Sequence, residues 1–311
     1  MHNVYLSSLL LSAMPMEKLE ITVVSGKGGV GKTTVSSSLL YLFHSKMRVV
    51  AADADVDTPS LHLILSMEAT DIRPLSLSSR AKIEEGLCTS CGICAEKCPF
   101  GAIEMREKPV IIEYMCDGCS VCEKACPFNA IKLLPFTSGN LMVGKTRYGF
   151  PIVTAQLEVG EHNSGLLVNE VRRRAFEIYK EIKGDIILTD GAPGVGCPVI
   201  SSLSATEYAI IVTEPTPEAL QGADRILEIT RHFKVPSGII INRYNMSGFL
   251  EDMVRHFELK GSKILGMIPL DFSVVESISN SRPVVEYKPS SEAAVAIKNI
   301  FDELVEVLKI G

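Results

Sequence analysis

The stretch Ser25-Gly26-Lys27-Gly28-Gly29-Val30-Gly31-Lys32-Thr33-Thr34 limits what this chain can fold into more than any other. Gly26, Gly31, Lys32 and Thr33 fit the phosphate-binding pattern G-x-x-x-x-G-K-[ST]. Ahead of it, the apolar run Ile21 to Val24 reads as a buried strand, and behind it about Thr33 to Met47 reads as a helix. The glycines let successive backbone N–H groups turn inward, and the helix presents its positive end to the phosphates. Lys32 then reaches the β- and γ-phosphates and the Thr33 hydroxyl holds Mg²⁺. A strand, such a loop and a helix in that order call for an α/β fold with a mostly parallel sheet flanked by helices.

Lys27 sharpens the reading. With it the loop resembles the deviant Walker A motif K-G-G-x-G-K-T of the MinD/ParA group of ATPases, which includes Mrp-type proteins and the nitrogenase iron protein. The resemblance implies ATP with Mg²⁺ on Gly26 through Thr34, and a homodimer formed on ATP binding. In it Lys27 would cross to the partner's phosphates. It makes Lys27, Lys32 and Asp57 the catalytic residues and places Asp53 in the A′ motif. The acid that positions the attacking water is Asp57 by analogy with the nitrogenase iron protein and Asp55 by analogy with MinD; Asp57 is preferred. Acids after the strand Arg48 to Ala52 can also simply cap a following helix. The run Asp185 to Leu188 reads as a Walker B strand with Asp190 on Mg²⁺. Asp190-Gly191-Ala192-Pro193-Gly194 resembles switch II, with Ala192 where the group often has proline. Asn242, ending the strand Gly238 to Ile241, occupies the place of an adenine-reading asparagine in the group.

Between about residues 79 and 135 lie eight of the nine cysteines. They read Cys88-x2-Cys91-x2-Cys94-x3-Cys98-Pro99 and Cys116-x2-Cys119-x2-Cys122-x3-Cys126-Pro127, each block followed by Phe-x-Ala-Ile. This internal repeat is the bacterial two-cluster ferredoxin pattern, in which the fourth cysteine ligates the other cluster. Two [4Fe–4S] clusters are therefore expected, one on Cys88, Cys91, Cys94 and Cys126, the other on Cys116, Cys119, Cys122 and Cys98. Zinc sites pair C-x2-C blocks across a longer gap, and disulfides do not suit reduced thiols. The ninth, Cys197, lies seven positions after Asp190, where the nitrogenase iron protein has a ligand to a cluster bridging two subunits. A small packed residue starting a helix is the simpler reading, and His162 is the nearby residue that could assist a bridging site.

The remaining sequence bounds partners. A net charge of −6, with Arg172-Arg173-Arg174 as the only tight basic cluster, disfavours nucleic acid, and that cluster reads as the polar face of a helix. No run reaches the ~18 apolar residues of a membrane span, and the apolar stretch Val4 to Leu11 lacks a basic region before it. The expected organisation is a disordered leader over residues 1–16 and ATPase halves over 17–78 and 136–311. A ferredoxin-type α+β module occupies 79–135. The terminal stretch from Glu292, with Ala293, Ile297, Ile300, Phe301, Leu304 and Leu308 at helical spacing, reads as a core-packing helix rather than a membrane-targeting one. The functional expectation is a cytoplasmic iron–sulfur ATPase coupling nucleotide-driven dimer switching to electron transfer with an unknown redox partner. An Fe–S carrier of the Mrp type is the alternative, although Cys197-Pro198-Val199-Ile200 lacks the second cysteine of its C-P-x-C pair.

Overall fold

The computed structural model describes residues 19–161, 163–204 and 206–310, so the expected leader and His162 lie outside the described residues. The chain opens with β1 (Glu20–Ser25), α1 (Lys32–His44), β2 (Val49–Asp53), α2 (Leu61–Ile64) and β3 (Glu68–Leu75). A smaller unit follows, with β4 (Ser78–Ile83), α3 (Ile93–Lys97), β5 (Ile103–Met105), β6 (Pro109–Ile111), α4 (Val121–Ala125) and β7 (Ile131–Phe136). The larger unit resumes with β8 (Gly139–Lys145), β9 (Pro151–Leu157), α5 (Ser164–Ile182), β10 (Ile186–Pro193), α6 (Cys197–Leu203) and β11 (Tyr208–Thr213). It closes with α7 (Pro217–His232), β12 (Ser237–Asn242), α8 (Leu250–Leu259), β13 (Lys263–Ile268), α9 (Phe272–Ser279), α10 (Val284–Tyr287) and α11 (Glu292–Leu308).

One nine-stranded sheet runs β13-β12-β11-β1-β10-β2-β9-β8-β3, parallel from β13 to β9 and antiparallel only at β8 and β3. Its central strands are nearly unbroken apolar runs, as burial on both faces requires. Residues of α1, α10 and α11 pack on one face with Ile21, Val23 and Ile210. The other face is covered by α6, α7 and α8 around Val24, and by α5 against Val50 and Ala52. The expected terminal helix packs inward, with Ala293, Ile297, Ile300, Phe301 and Leu304 buried. Among the described residues no helix is long and apolar enough to cross a membrane.

Three details depart from expectation. The edge strand β3 was not foreseen, because Glu68–Leu75 is polar, mostly exposed and carries Pro74, which an edge tolerates. The strand bearing Asp190 continues through the expected switch turn to Pro193, which pairs with Ser25 after a shift of register beyond Val23, and the chain turns only at Gly194, φ 93°. Arg172 is not on a solvated face: it reaches inward to Glu20 at 2.8 Å and to the carbonyls of Ser201 and Ser204. Arg173 and Arg174 do face outward, paired with Glu170, Glu177 and Glu181.

The smaller unit is two antiparallel ribbons, β4–β7 and β5–β6, with α3 and α4 packed on each other. Its small core is Ala81, Ile103 and Ile131 together with Cys94 and Cys122. The two cysteine blocks repeat in conformation as well as sequence. Ser90 and Gly118, Gly92 and Ser120, and Gly101 and Asn129 all take left-handed backbone angles at matching places.

Candidate functional site

The loop between β1 and α1 lies at the carboxyl end of the sheet, where open α/β folds bind ligands. Two glycines there are required by geometry. A Cβ on Gly26 would fall 2.0 Å from the backbone of Gly222 in α7, and one on Gly31, φ 94°, would fall 2.2 Å from the Asn242 side chain. No side chain caps α1, so its first N–H groups stay available. The loop borders a cavity of about 560 Å³, onto which Gly28, Gly29, Gly31, Lys32, Thr33 and Thr34 all open. Gly26 and Val30 instead serve packing, Val30 being fully in the core.

Lys32 stands at the centre of a polar knot. Its Nζ lies 3.0 Å from Asp190 Oδ1 and 3.6 Å from Asp55 Oδ2. Thr33 Oγ1 and Ser36 Oγ each donate to the Asp190 carboxylate at 2.7 Å. Burial alone would lower the Lys32 ammonium, but Asp190, Asp55 and Asp53 outweigh it and hold it above its ordinary value. Burial likewise pushes the Asp55 and Asp53 carboxyls up, against the pull of Lys32. Ser25 Oγ, also on the cavity wall, is buried with no hydrogen-bond partner among the described residues.

The three acids at and just after the end of β2 separate. Asp53 is fully buried and accepts the N–H of Leu61, the first residue of α2, at 3.0 Å, as a helix cap does. Asp55 faces the cavity. Asp57 does not: the chain turns at Val56–Asp57, with Thr58 N–H donating back to the Asp55 carbonyl at 3.2 Å, and Asp57 is left exposed and off the cavity wall. Lys27 lies outside the wall as well, its Nζ 3.2 Å from Glu214 Oε1. Glu214 is buried and also takes Arg243 Nη1 at 3.1 Å. Asn242 points into the loop, donating to the Val30 carbonyl at 2.7 Å and accepting from Arg243 N–H at 3.0 Å.

The sequence reading missed Ser36, Glu214 and Arg243. Glu214 and Arg243 directly follow β11 and β12, so the rule that ligands gather at strand carboxyl ends could have found them.

None of the nine cysteines is in a disulfide. Cys88, Cys91, Cys94 and Cys126 line one small cavity, and Cys98, Cys116, Cys119 and Cys122 line another. Each thus combines three thiols of one block with one of the other. Ala102 N–H donates to Cys98 Sγ and Ala130 N–H to Cys126 Sγ, both at 3.3 Å. Burial pushes the Cys94 and Cys122 thiols above the ordinary range. Among the described residues no three His, Cys, Asp or Glu side chains are gathered closely enough to hold a single metal ion. Cys197 is exposed at the start of α6, its Cβ 3.2 Å from where a side chain on Gly165 would begin.

Solved proteins share this fold. The septum site-determining protein MinD complexed with Mg-ADP from Pyrococcus horikoshii superimposes with a TM-score of 0.58 over 94% of this chain and 98% of its own, at 21% identity. An uncharacterized protein of Methanocaldococcus jannaschii is 33% identical over 291 residues, 93% of this chain and 98% of its own length. A second uncharacterized protein of that organism is 29% identical over 280 residues, 87% of this chain and 93% of its own. A model of the CobQ/CobB/MinD/ParA nucleotide binding domain matches residues 21–284. With its phosphate loop, its acids and most of its sheet inside that match, the chain belongs to the CobQ/CobB/MinD/ParA nucleotide-binding family.

Proposed function

We propose that this protein is an ATP-hydrolysing iron–sulfur protein that couples nucleotide-driven pairing of two copies to electron transfer. The observation that carries the electron-transfer half is the sorting of eight thiols into two cavities, each with three from one repeat and one from the other. That is the ligand exchange of two-cluster ferredoxins. The N–H···S bonds at Cys98 and Cys126 suit bridging or ligating sulfur, and residues 79–135 form the module. Two [4Fe–4S] clusters there would supply one-electron chemistry. Burial holds the thiols of Cys94 and Cys122 neutral, so binding of a cluster would have to displace their protons.

For the ATPase half, the support is the knot around Lys32. Three carboxylates crowd one ammonium, and the uncapped end of α1 and an unpartnered Ser25 hydroxyl face the same cavity. A triphosphate with Mg²⁺ would relieve that crowding, taking Lys32 onto its phosphates and the metal onto Thr33 and Asp190. Asp55, being on the wall, is the better placed of the two acids to orient the attacking water. Lys27, paired with Glu214, would leave it to reach a second copy. Arg243, on the cavity wall, would meet the base, with Asn242 holding the loop behind it.

One experiment tests the coupling. The anaerobically reduced protein is mixed, with and without MgATP, with an oxidised holo-ferredoxin as electron acceptor and separately with an apo-ferredoxin as cluster acceptor. Oxidation rates or cluster potentials that respond to nucleotide support the proposal. Transfer of iron to the acceptor indicates cluster carriage instead.

A further inference from the structure

The nucleotide cavity and the cysteine unit are joined through one carboxylate that belongs to neither. Glu161 is buried in the turn after β9, and it pairs with Arg80 of β4. It also accepts from Ser78 Oγ at 2.9 Å. The Arg80 guanidinium sits 3.6 Å above the Phe136 ring in β7, so this contact touches both strands that root the cysteine unit. Ser138 braces it, its Oγ accepting from Leu77 N–H at 3.0 Å and its carbonyl accepting from Glu158 N–H at 3.0 Å.

The same turn is tied to the cavity. Leu157 N–H donates to the Val56 carbonyl at 3.0 Å, one residue from Asp55 and its contact with Lys32. Glu161 N–H donates to the Glu158 carbonyl at 3.1 Å, which closes the turn. A cavity of about 390 Å³ lies beside the junction, lined by Arg80, Glu161, Tyr114 and Cys116, so the pair has room to shift next to the second cysteine block. A buried ion pair adds little net stability over well-packed apolar residues, and its best-attested use is to fix one arrangement against another.

We propose that Glu161 is a positioning residue that makes the seating of the cysteine unit depend on the state of the nucleotide cavity. Rearrangement of Asp55 and Val56 around phosphate is carried by the Leu157 hydrogen bond into the turn, and by Glu161 to Arg80 and Ser78. The coupling is reciprocal, so a change in the cysteine unit alters nucleotide affinity by the same factor. This inference rests on the nucleotide reading above.

Amide hydrogen exchange on the full chain tests it, with and without MgADP or a non-hydrolysable ATP analogue. In the wild type, nucleotide should slow exchange at 54–58 and, by about fivefold, at 77–83. Glu161→Gln and Arg80→Ala should keep the first effect and reduce the second to less than about twofold. Ser78→Ala, a milder change should Arg80→Ala fail to fold, should reduce it in part. Slowing at 77–83 that survives Glu161→Gln, or that never occurs while 54–58 is protected, overturns the inference and leaves the nucleotide reading standing. No protection at 54–58 removes both.

Discussion

The nucleotide cavity and the two cysteine cavities are assembled on opposite plans. The first collects Lys32 from the start of α1, Asp55 from beyond β2, Asp190 from β10 and Arg243 from beyond β12, so its geometry depends on the strand order of the whole sheet. The cysteine cavities draw all their thiols from residues 88–126, on tight loops with left-handed turns at repeated places. A site spread over a sheet is rigid because its scaffold is large. A site on short loops is rigid only where its turns and its filling hold it. Each should therefore be able to lose its assembly while the other keeps its own, and in a different way.

The sharpest separation is expected from Lys32→Ala. It should lower ATP hydrolysis on the order of a thousandfold, measured by phosphate release, and leave iron content unchanged. Next, Cys98→Ala should cut iron from about eight to about four per chain after anaerobic reconstitution. The surviving signal should belong to the centre held by Cys88, Cys91, Cys94 and Cys126, with hydrolysis unchanged. Iron lost from both centres, or from neither, would break the assignment of thiols.

A smaller effect separates the two repeats. A Cβ on Gly118 would lie 2.2 Å from the Ser79 carbonyl oxygen, whereas its counterpart Ser90 already carries a side chain. Gly118→Ser should destabilise the cysteine unit by about 2 kcal/mol, read as faster hydrogen exchange over 113–126. Ser90→Gly should cost well under half of that.

The smallest effect returns to the carboxylates around Lys32. Asp55 is disfavoured as an anion by burial and by its acidic neighbours, so Asp55→Asn should raise the melting temperature of the ligand-free protein by about 2 °C. Because the folded-state pKa of Asp55 is raised, its penalty is absent below the ordinary carboxylate range. It grows as pH rises through the shifted value. The gain from asparagine should follow that same direction in a melting series, while hydrolysis is lost.

The contrast in plan also explains what the sequence could say. The glycine-rich loop and the cysteine blocks are legible because their function is written in spacing along a few residues. Ser36 and Glu214 carry no such spacing, and only the parallel sheet brings them to Asp190 and Lys27. The turn at Val56–Asp57 sent Asp55 inward and Asp57 out, a choice made by one hydrogen bond that residue types do not announce. Arg172 read as surface because its neighbours Arg173 and Arg174 are, but its helical phase points it at Glu20. Polar Glu68–Leu75 became a strand because β8 offered an edge, not because of its own pattern.

Cys98 and Cys126 each stand in the pocket of the opposite repeat. The doubled segment has therefore ceased to be two separable copies. Deleting either one would leave the survivor a thiol short at its own centre and holding one with nowhere to go. Ancestors or engineered relatives with a single intact half are accordingly not expected to keep a working half-share; the pair persists together or is discarded together.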